Sequence, residues 1–123
     1  MKKYFIFLLL TYSLTIIGQE KANLSFSKKT IDLGSISHKK KPIIVNYIFT
    51  NEGQKPLVIY KVKASCGCTI PTWPKAPIKP GEKSLIKVEF YTESQKGVFM
   101  KTLFVESNSK EDVMLIKLKG RVK

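Results

Sequence analysis

The segment 65–81, SCGCTIPTWPKAPIKPG, interrupts an otherwise regular alternation of apolar and polar residues. It holds both cysteines, the only tryptophan and four of the six prolines of the chain. Its prolines, at 71, 74, 77 and 80, recur every third residue, which is the spacing of a polyproline II helix. Since proline cannot donate to a sheet ladder, the segment is predicted to be an extended strap that crosses from one sheet to another, with Trp73 capping the core.

On both sides of this strap the apolar residues have period two, and no stretch has helical spacing. Strands are predicted at 24–26, 31–33, 43–49, 57–62, 85–91, 98–106 and 116–122. Turn residues separate them, as at Asn51-Glu52-Gly53. The pattern predicts an all-β, immunoglobulin-like antiparallel β-sandwich of about seven strands, with a small barrel as the alternative.

The first residues are typical of a secretory signal peptide, predicted over 1–18 and leaving a single sandwich domain over 19–123. Lys2 and Lys3 precede an apolar run, Tyr4 to Ile17, and Gly18 offers a small residue at the cut. The run is about fourteen residues long, against about twenty for a membrane-spanning helix, which favours cleavage over an uncleaved anchor. The mature protein is therefore expected to be exported, periplasmic or secreted, with no transmembrane span.

The chain is strongly basic, with a formal net charge of +13. Removing Lys2 and Lys3 leaves 13 − 2 = +11. All but one of the 22 cationic residues are lysine, so the chain has almost no arginine guanidinium groups to bind phosphates through two hydrogen bonds at once. Nucleic acid is therefore not an expected partner. The charge either belongs to an ordinary solvated surface or attracts an envelope protein or an anionic envelope polymer.

Cys66 and Cys68 leave three interpretations open. In an extended strand, residues i and i+2 have Cα atoms about 6.5 to 7 Å apart, at the upper limit for a relaxed disulfide, although Gly67 would allow a tighter fold. The pair is either structural, or a redox-active dithiol, or a ligand pair for a soft ion such as Cu(I). A closed zinc site needs four ligands, and the chain has one histidine, His38.

No constellation of residues indicates catalysis. His38 stands beside three lysines rather than near a nucleophile, and the glutamates fall in turns or on polar faces without forming an acid–base pair. The sequence therefore indicates a protein that is not an enzyme and needs no cofactor.

Several motifs together resemble the bacterial family called domain of unknown function 1573. They are Tyr47–Gly53, Pro56–Ile59, Ser65–Thr69, Pro71–Pro74, Ile78–Glu82 and the ending Ile116-x-Leu118-x-Gly120-x-Val122. The resemblance covers essentially all of the chain after the predicted signal peptide. It implies an immunoglobulin-like sandwich related to the Hydin and major-sperm-protein group, common in exported proteins of Bacteroidetes-type bacteria, and no established activity.

Related domains mostly serve as interaction modules, so the leading interpretation is an exported, non-enzymatic module that binds an envelope protein or polymer. The alternative is a small envelope redox or Cu(I)-handling protein that uses Cys66 and Cys68. Candidate binding residues are those of the cysteine motif and of the strap around the tryptophan. They are Cys66, Gly67, Cys68, Thr69, Pro71, Trp73 and Pro74.

Overall fold

A computed structural model describes residues 21–123, and within that range the chain forms eight β-strands and no helix. The strands are β1 (Leu24–Phe26), β2 (Thr30–Ile36), β3 (Ile43–Asn51), β4 (Ile59–Ala64), β5 (Thr69–Thr72), β6 (Lys83–Phe90), β7 (Gly97–Ser107) and β8 (Val113–Val122). The predicted all-β sandwich is confirmed. It has one more strand than the pattern indicated, because β5 lies inside the proline-spaced strap.

The strands form two four-stranded sheets, here called the first sheet (β1-β3-β6-β5) and the second sheet (β2-β8-β7-β4). The expected antiparallel pairing holds except between β2 and β8, which are parallel, with Ile31 opposite Leu118. This exception arises because the chain passes from the first sheet to the second between β1 and β2. A pattern of period two specifies a strand's buried face but not the direction of its neighbour.

The core lies between the sheets and is built from alternate residues of the central strands. These residues include Val45, Tyr47, Phe49, Ile86, Val88 and Phe90 from the first sheet and Phe99, Leu103, Val105, Ile116, Leu118 and Val122 from the second. The rings of Phe90 and Phe99 meet across the core with their centroids 4.7 Å apart. The sequence of β7 is apolar on both faces, and the face that points inward is the one that carries Phe99, Leu103 and Val105.

The predicted signal peptide, 1–18, lies outside the described residues. In the part of the chain that the structure describes, no helix is long and apolar enough to cross a membrane.

Tyr47 joins the two sheets through a hydrogen bond. Its ring is buried in the core, and its hydroxyl donates to the backbone oxygen of Lys117 on β8 at 2.6 Å. Burial raises the pKa of the Tyr47 phenol, because the phenolate would lose its hydration there.

Replacing Tyr47 by phenylalanine should cost about 1 kcal/mol at neutral pH, because a buried carbonyl loses its partner. A raised folded-state pKa contributes stability that is present below the unfolded phenol's pKa of about 10 and is lost as the pH rises above it. Urea unfolding between neutral pH and pH 11 should show a steeper alkaline loss in the wild type than in Tyr47→Phe. Tyr60→Phe is the control, since Tyr60 is 62% exposed and should leave the alkaline slope unchanged.

Candidate functional site

The cysteine motif forms the turn at which the chain changes sheets. It connects β4, at the edge of the second sheet, to β5, at the edge of the first. On one side Ser65 N–H donates to Thr102 O at 3.1 Å, and on the other Tyr91 N–H donates to Cys68 O at 2.8 Å. Within the turn Thr69 N–H donates to Cys66 O at 3.3 Å. The motif is thus anchored by backbone hydrogen bonds to both sheets.

Cys66 and Cys68 form a disulfide in this turn. Their Cα atoms are 5.4 Å apart, closer than an extended strand would place them, because the chain bends between Ser65 and Thr69. Cys68 N–H donates to Cys66 Sγ at 3.0 Å. In this oxidised form neither sulfur is a free thiolate, so the pair could bind a soft metal ion only after reduction. Within residues 21–123 no three histidine, cysteine or carboxylate side chains come together as metal ligands.

The strap differs from its predicted course. It does not cross between the sheets, because the cysteine turn already makes that crossing. Its first residues form β5, paired with β6, and the remainder leads back to β6 of the same sheet. On the way Ile78 is buried and pairs with Leu57 in an isolated antiparallel bridge. Cys68 is hydrogen-bonded to Tyr91, and along an antiparallel strand every second residue bonds to the same neighbour. The nitrogen of Pro71, three residues on, therefore points away from β6, toward the side of β5 that has no partner strand. Proline is tolerated there because no N–H donor is required.

Trp73 follows β5 directly and is half-buried, packed against the edge of the core. Lys75 covers its ring, with Nζ 3.4 Å from the ring centroid. This contact is a cation–π interaction. Trp73 is therefore neither a fully buried plug nor a bare anchor. Along the chain the structure places Cys66–Thr69 in the turn, Pro71 in an edge strand and Trp73–Pro74 just beyond it.

The outer face of the second sheet carries five exposed large apolar side chains on two adjacent strands. They are Val98, Met100, Phe104, Val113 and Leu115. Phe104 lies opposite Leu115 across the β7–β8 pair, so their side chains are neighbours. Val98, Met100 and Phe104 were missed because β7 is apolar on both faces and its sequence does not show which face is covered. Val113 and Leu115 were missed because the last strand was predicted to begin at 116, and it begins at Val113.

Cations border these apolar residues on the same face. Lys63 lies opposite Phe104, Lys119 opposite Met100, and Arg121 opposite Val98. Lys61 and Lys117 are the other cations of this face. The acidic residues of the second sheet are Glu106 and Asp32. A shallow depression lined by Lys63, Ala64, Ser65, Phe104, Glu106 and Val113 extends the face to the start of the cysteine turn. We call this combined surface the basic-apolar face.

A family model described as a protein of unknown function, DUF1573, matches residues 24–122. The chain belongs to this family. The match spans nearly all the described residues, including the cysteine turn, the strap and the basic-apolar face. The family resemblance seen in the sequence motifs is therefore confirmed, and the family description carries no activity. No curated protein matches the chain significantly.

Solved structures with the same architecture share little sequence with this DUF1573 domain. A protein of unknown function from Porphyromonas gingivalis W83 superposes with a TM-score of 0.74 at 15% identity, over 87% of this chain and 50% of that one. This chain thus spans half the length of that protein. The PapD-like domain 7 of human CEP192 superposes with a TM-score of 0.64 at 8% identity, over 90% of this chain and 92% of that one. The E. coli chaperone DraB superposes with a TM-score of 0.59 at 11% identity, over 82% of this chain and 55% of that one. These likenesses show a PapD-like, immunoglobulin-type fold.

Proposed function

We propose that this DUF1573 domain is an exported, non-enzymatic interaction module that binds an acidic partner protein through the basic-apolar face. The observation that carries the proposal is the row of exposed apolar side chains on β7 and β8 with cations on both sides. Exposed apolar patches rimmed by polar residues mark interaction sites on soluble proteins. The chaperone DraB among the structural neighbours adds a fold-level analogy only.

The arrangement fits a protein interface better than a solvated surface. Specific interfaces have an apolar centre that excludes water and a polar rim that is charged and accessible. Here Phe104 and Leu115 supply the centre, and Lys63 and Lys117 stand in its rim. Without Lys2 and Lys3 the exported domain has a net charge of +11, which attracts a negatively charged partner and accelerates its encounter.

Charge also indicates which partner fits. A second copy of the chain would bring Lys63, Lys119 and Arg121 against the same cations, and like charges across an interface disfavour it. An acidic protein surface with its own apolar centre complements both features. The export part of the proposal is supported by the signal-peptide pattern of residues 1–18. The non-enzymatic part is supported by the lack of a paired acid and base in the sequence.

Site-specific photo-cross-linking in the producing cell tests the proposal. A photoreactive phenylalanine analogue at Phe104 should yield a discrete protein adduct. The same analogue at Leu85, 41% exposed on the outer face of the first sheet, should not. The adduct partner would then be identified, purified and titrated against the domain.

A charge-reversal variant provides the second test of the proposed interface. The double change Lys117→Glu and Lys119→Glu should weaken binding of the purified partner by about tenfold, since each exposed pair contributes up to about 1 kcal/mol and reversal makes it repulsive. Lys40→Glu with Lys41→Glu is the matched control, because it changes net charge equally in an exposed loop. Equal weakening by both pairs, or binding to phosphatidylglycerol vesicles in place of a protein, would contradict the proposal.

The strap around Trp73 is the competing surface. A half-exposed tryptophan on a proline-stiffened segment suits an interface anchor. If the basic-apolar face carries the interaction, Trp73→Ala should leave partner affinity unchanged in the folded variant. A loss of about 2 kcal/mol or more in that affinity would move the site to the residues from Cys66 to Pro74.

A further inference from the structure

We infer that Cys66 and Cys68 form a thiol–disulfide exchange site in which Cys66 makes the mixed disulfide with a partner cysteine and Cys68 resolves it. The two residues are already joined in the structure, in a half-buried turn at the junction of the two sheets. The inference does not depend on the proposed docking face, because it rests on the local geometry of the turn alone.

The turn does not need the disulfide to keep its shape. Ser65 is tied to Thr102 of the second sheet, and the Cys68 carbonyl accepts from Tyr91 of the first. The buried Thr69 closes the turn twice, since its N–H and its hydroxyl both donate to Cys66 O, at 3.3 and 3.1 Å. Reduction therefore leaves two thiols held close together, which is what a reversible exchange pair requires.

The two sulfurs have different surroundings. Cys66 Sγ accepts a hydrogen bond from Cys68 N–H at 3.0 Å, and such a donor stabilises a thiolate. No donor among the hydrogen bonds of residues 21–123 reaches Cys68 Sγ, and Cys68 packs against the apolar core, which disfavours its thiolate. Cys66 is thus the better nucleophile of two half-buried cysteines, and Cys68 is the one that packs against the core.

Access to Cys66 is open. Its neighbours Ser65 and Gly67 are both exposed, and a Cβ added at Gly67 would meet no atom within 4 Å. A partner segment can therefore approach Cys66 without moving the surrounding structure.

The chemistry balances with a partner disulfide or dithiol as co-reactant. In the reduced protein the Cys66 thiolate attacks one sulfur of a partner disulfide; a Cys66–partner bond forms, and the electron pair leaves on the other partner sulfur. The Cys68 thiolate then attacks Cys66 Sγ, restores the Cys66–Cys68 bond and releases the partner's second thiolate. The partner gains two electrons and this protein loses two. Partner thiolates drive the reverse sequence.

Single-cysteine variants test the assignment. In Cys68→Ser the pKa of the remaining Cys66 thiol should lie below that of the remaining Cys68 thiol in Cys66→Ser, because the residue-68 N–H donates to Cys66 Sγ. The pKa values are read from thiolate absorbance. At neutral pH, oxidised glutathione should form its mixed disulfide with Cys66 at least about tenfold faster than with Cys68.

A measurement on the wild-type protein covers the case in which a variant fails to fold. After reduction by millimolar dithiothreitol and removal of the reagent, brief treatment with iodoacetamide should label Cys66 before Cys68, as read by peptide mass spectrometry, with the β-sheet circular dichroism unchanged. Equal labelling, equal pKa values, or a disulfide that dithiothreitol reduces only in urea would overturn the inference.

Discussion

Replacing Asn51 by aspartate should destabilise the domain by about 3 to 5 kcal/mol, because two carbonyls would lose their donor and face a buried carboxylate oxygen. The Asn51 side chain is fully buried at the end of β3 and makes four hydrogen bonds. Its Nδ2 donates to Lys55 O at 2.7 Å and to Ile78 O at 2.9 Å. An aspartate would turn a carboxylate oxygen toward both carbonyls. Urea unfolding at neutral pH measures the loss.

The pH dependence of this variant provides an independent check. Burial and the two facing carbonyls should raise the pKa of the introduced carboxyl above its ordinary value. The deficit relative to wild type should then be largest at neutral pH and shrink as the pH falls toward the unfolded carboxyl's pKa of about 4, below which the carboxyl is protonated in both folded and unfolded chains. Asn46→Asp, on an exposed position of the same strand, should change stability by no more than about 0.5 kcal/mol. Comparable losses in the two variants would refute the role given to Asn51.

Replacing Gly53 by alanine should cost about 2 to 4 kcal/mol, through overpacking and the loss of backbone hydrogen bonds. A Cβ there would lie 2.2 Å from Lys21 O and 2.5 Å from Asn23 N. Both are backbone atoms of the segment that leads into β1, so relief requires that segment to move away. That movement would strain two backbone hydrogen bonds, one from Gln54 N–H to Lys21 O and one from Glu52 N–H to Asn23 O.

Gly67→Ala is the matched control, because a Cβ at that position would meet open space. Its free energy of unfolding should stay within about 0.5 kcal/mol of wild type. Hydrogen exchange adds a local readout: in Gly53→Ala the amides of Asn23 and Leu24 should exchange faster, while those of β6 keep their protection. A Gly53→Ala variant as stable as Gly67→Ala would show that the N-terminal segment is not held at this contact.

Much of the sandwich could be predicted from the sequence, because one-sided burial leaves an alternation that can be read directly. β3, β6 and β8 follow such alternation and lie where it indicated. β5 was not predicted, because a proline argues against a position inside a sheet. An edge strand tolerates Pro71 when the proline nitrogen points away from the neighbouring strand. The parallel pairing of β2 with β8 depends on chain direction in space, which no local pattern records.

The contacts of individual site residues were less predictable. Asn51 was recognised as part of a turn signal, but its four hydrogen bonds reach segments as distant as Asn23 and Ile78. The spacing of Cys66 and Cys68 allowed a bond only if the chain bent, and the bend is set by hydrogen bonds to two different sheets. The cation over Trp73 comes from Lys75, a neighbour whose side-chain direction the sequence does not give.

The parallel pairing of β2 and β8 has a mechanical consequence. These strands lie side by side and run in the same direction, one near each end of the described chain. If residues 30 and 122, at the start of β2 and the end of β8, were pulled apart along the strands, the hydrogen bonds between β2 and β8 would be loaded together in shear, not opened one at a time. A domain joined in this way transmits tension between whatever is attached at its two ends and yields only when several bonds fail at once.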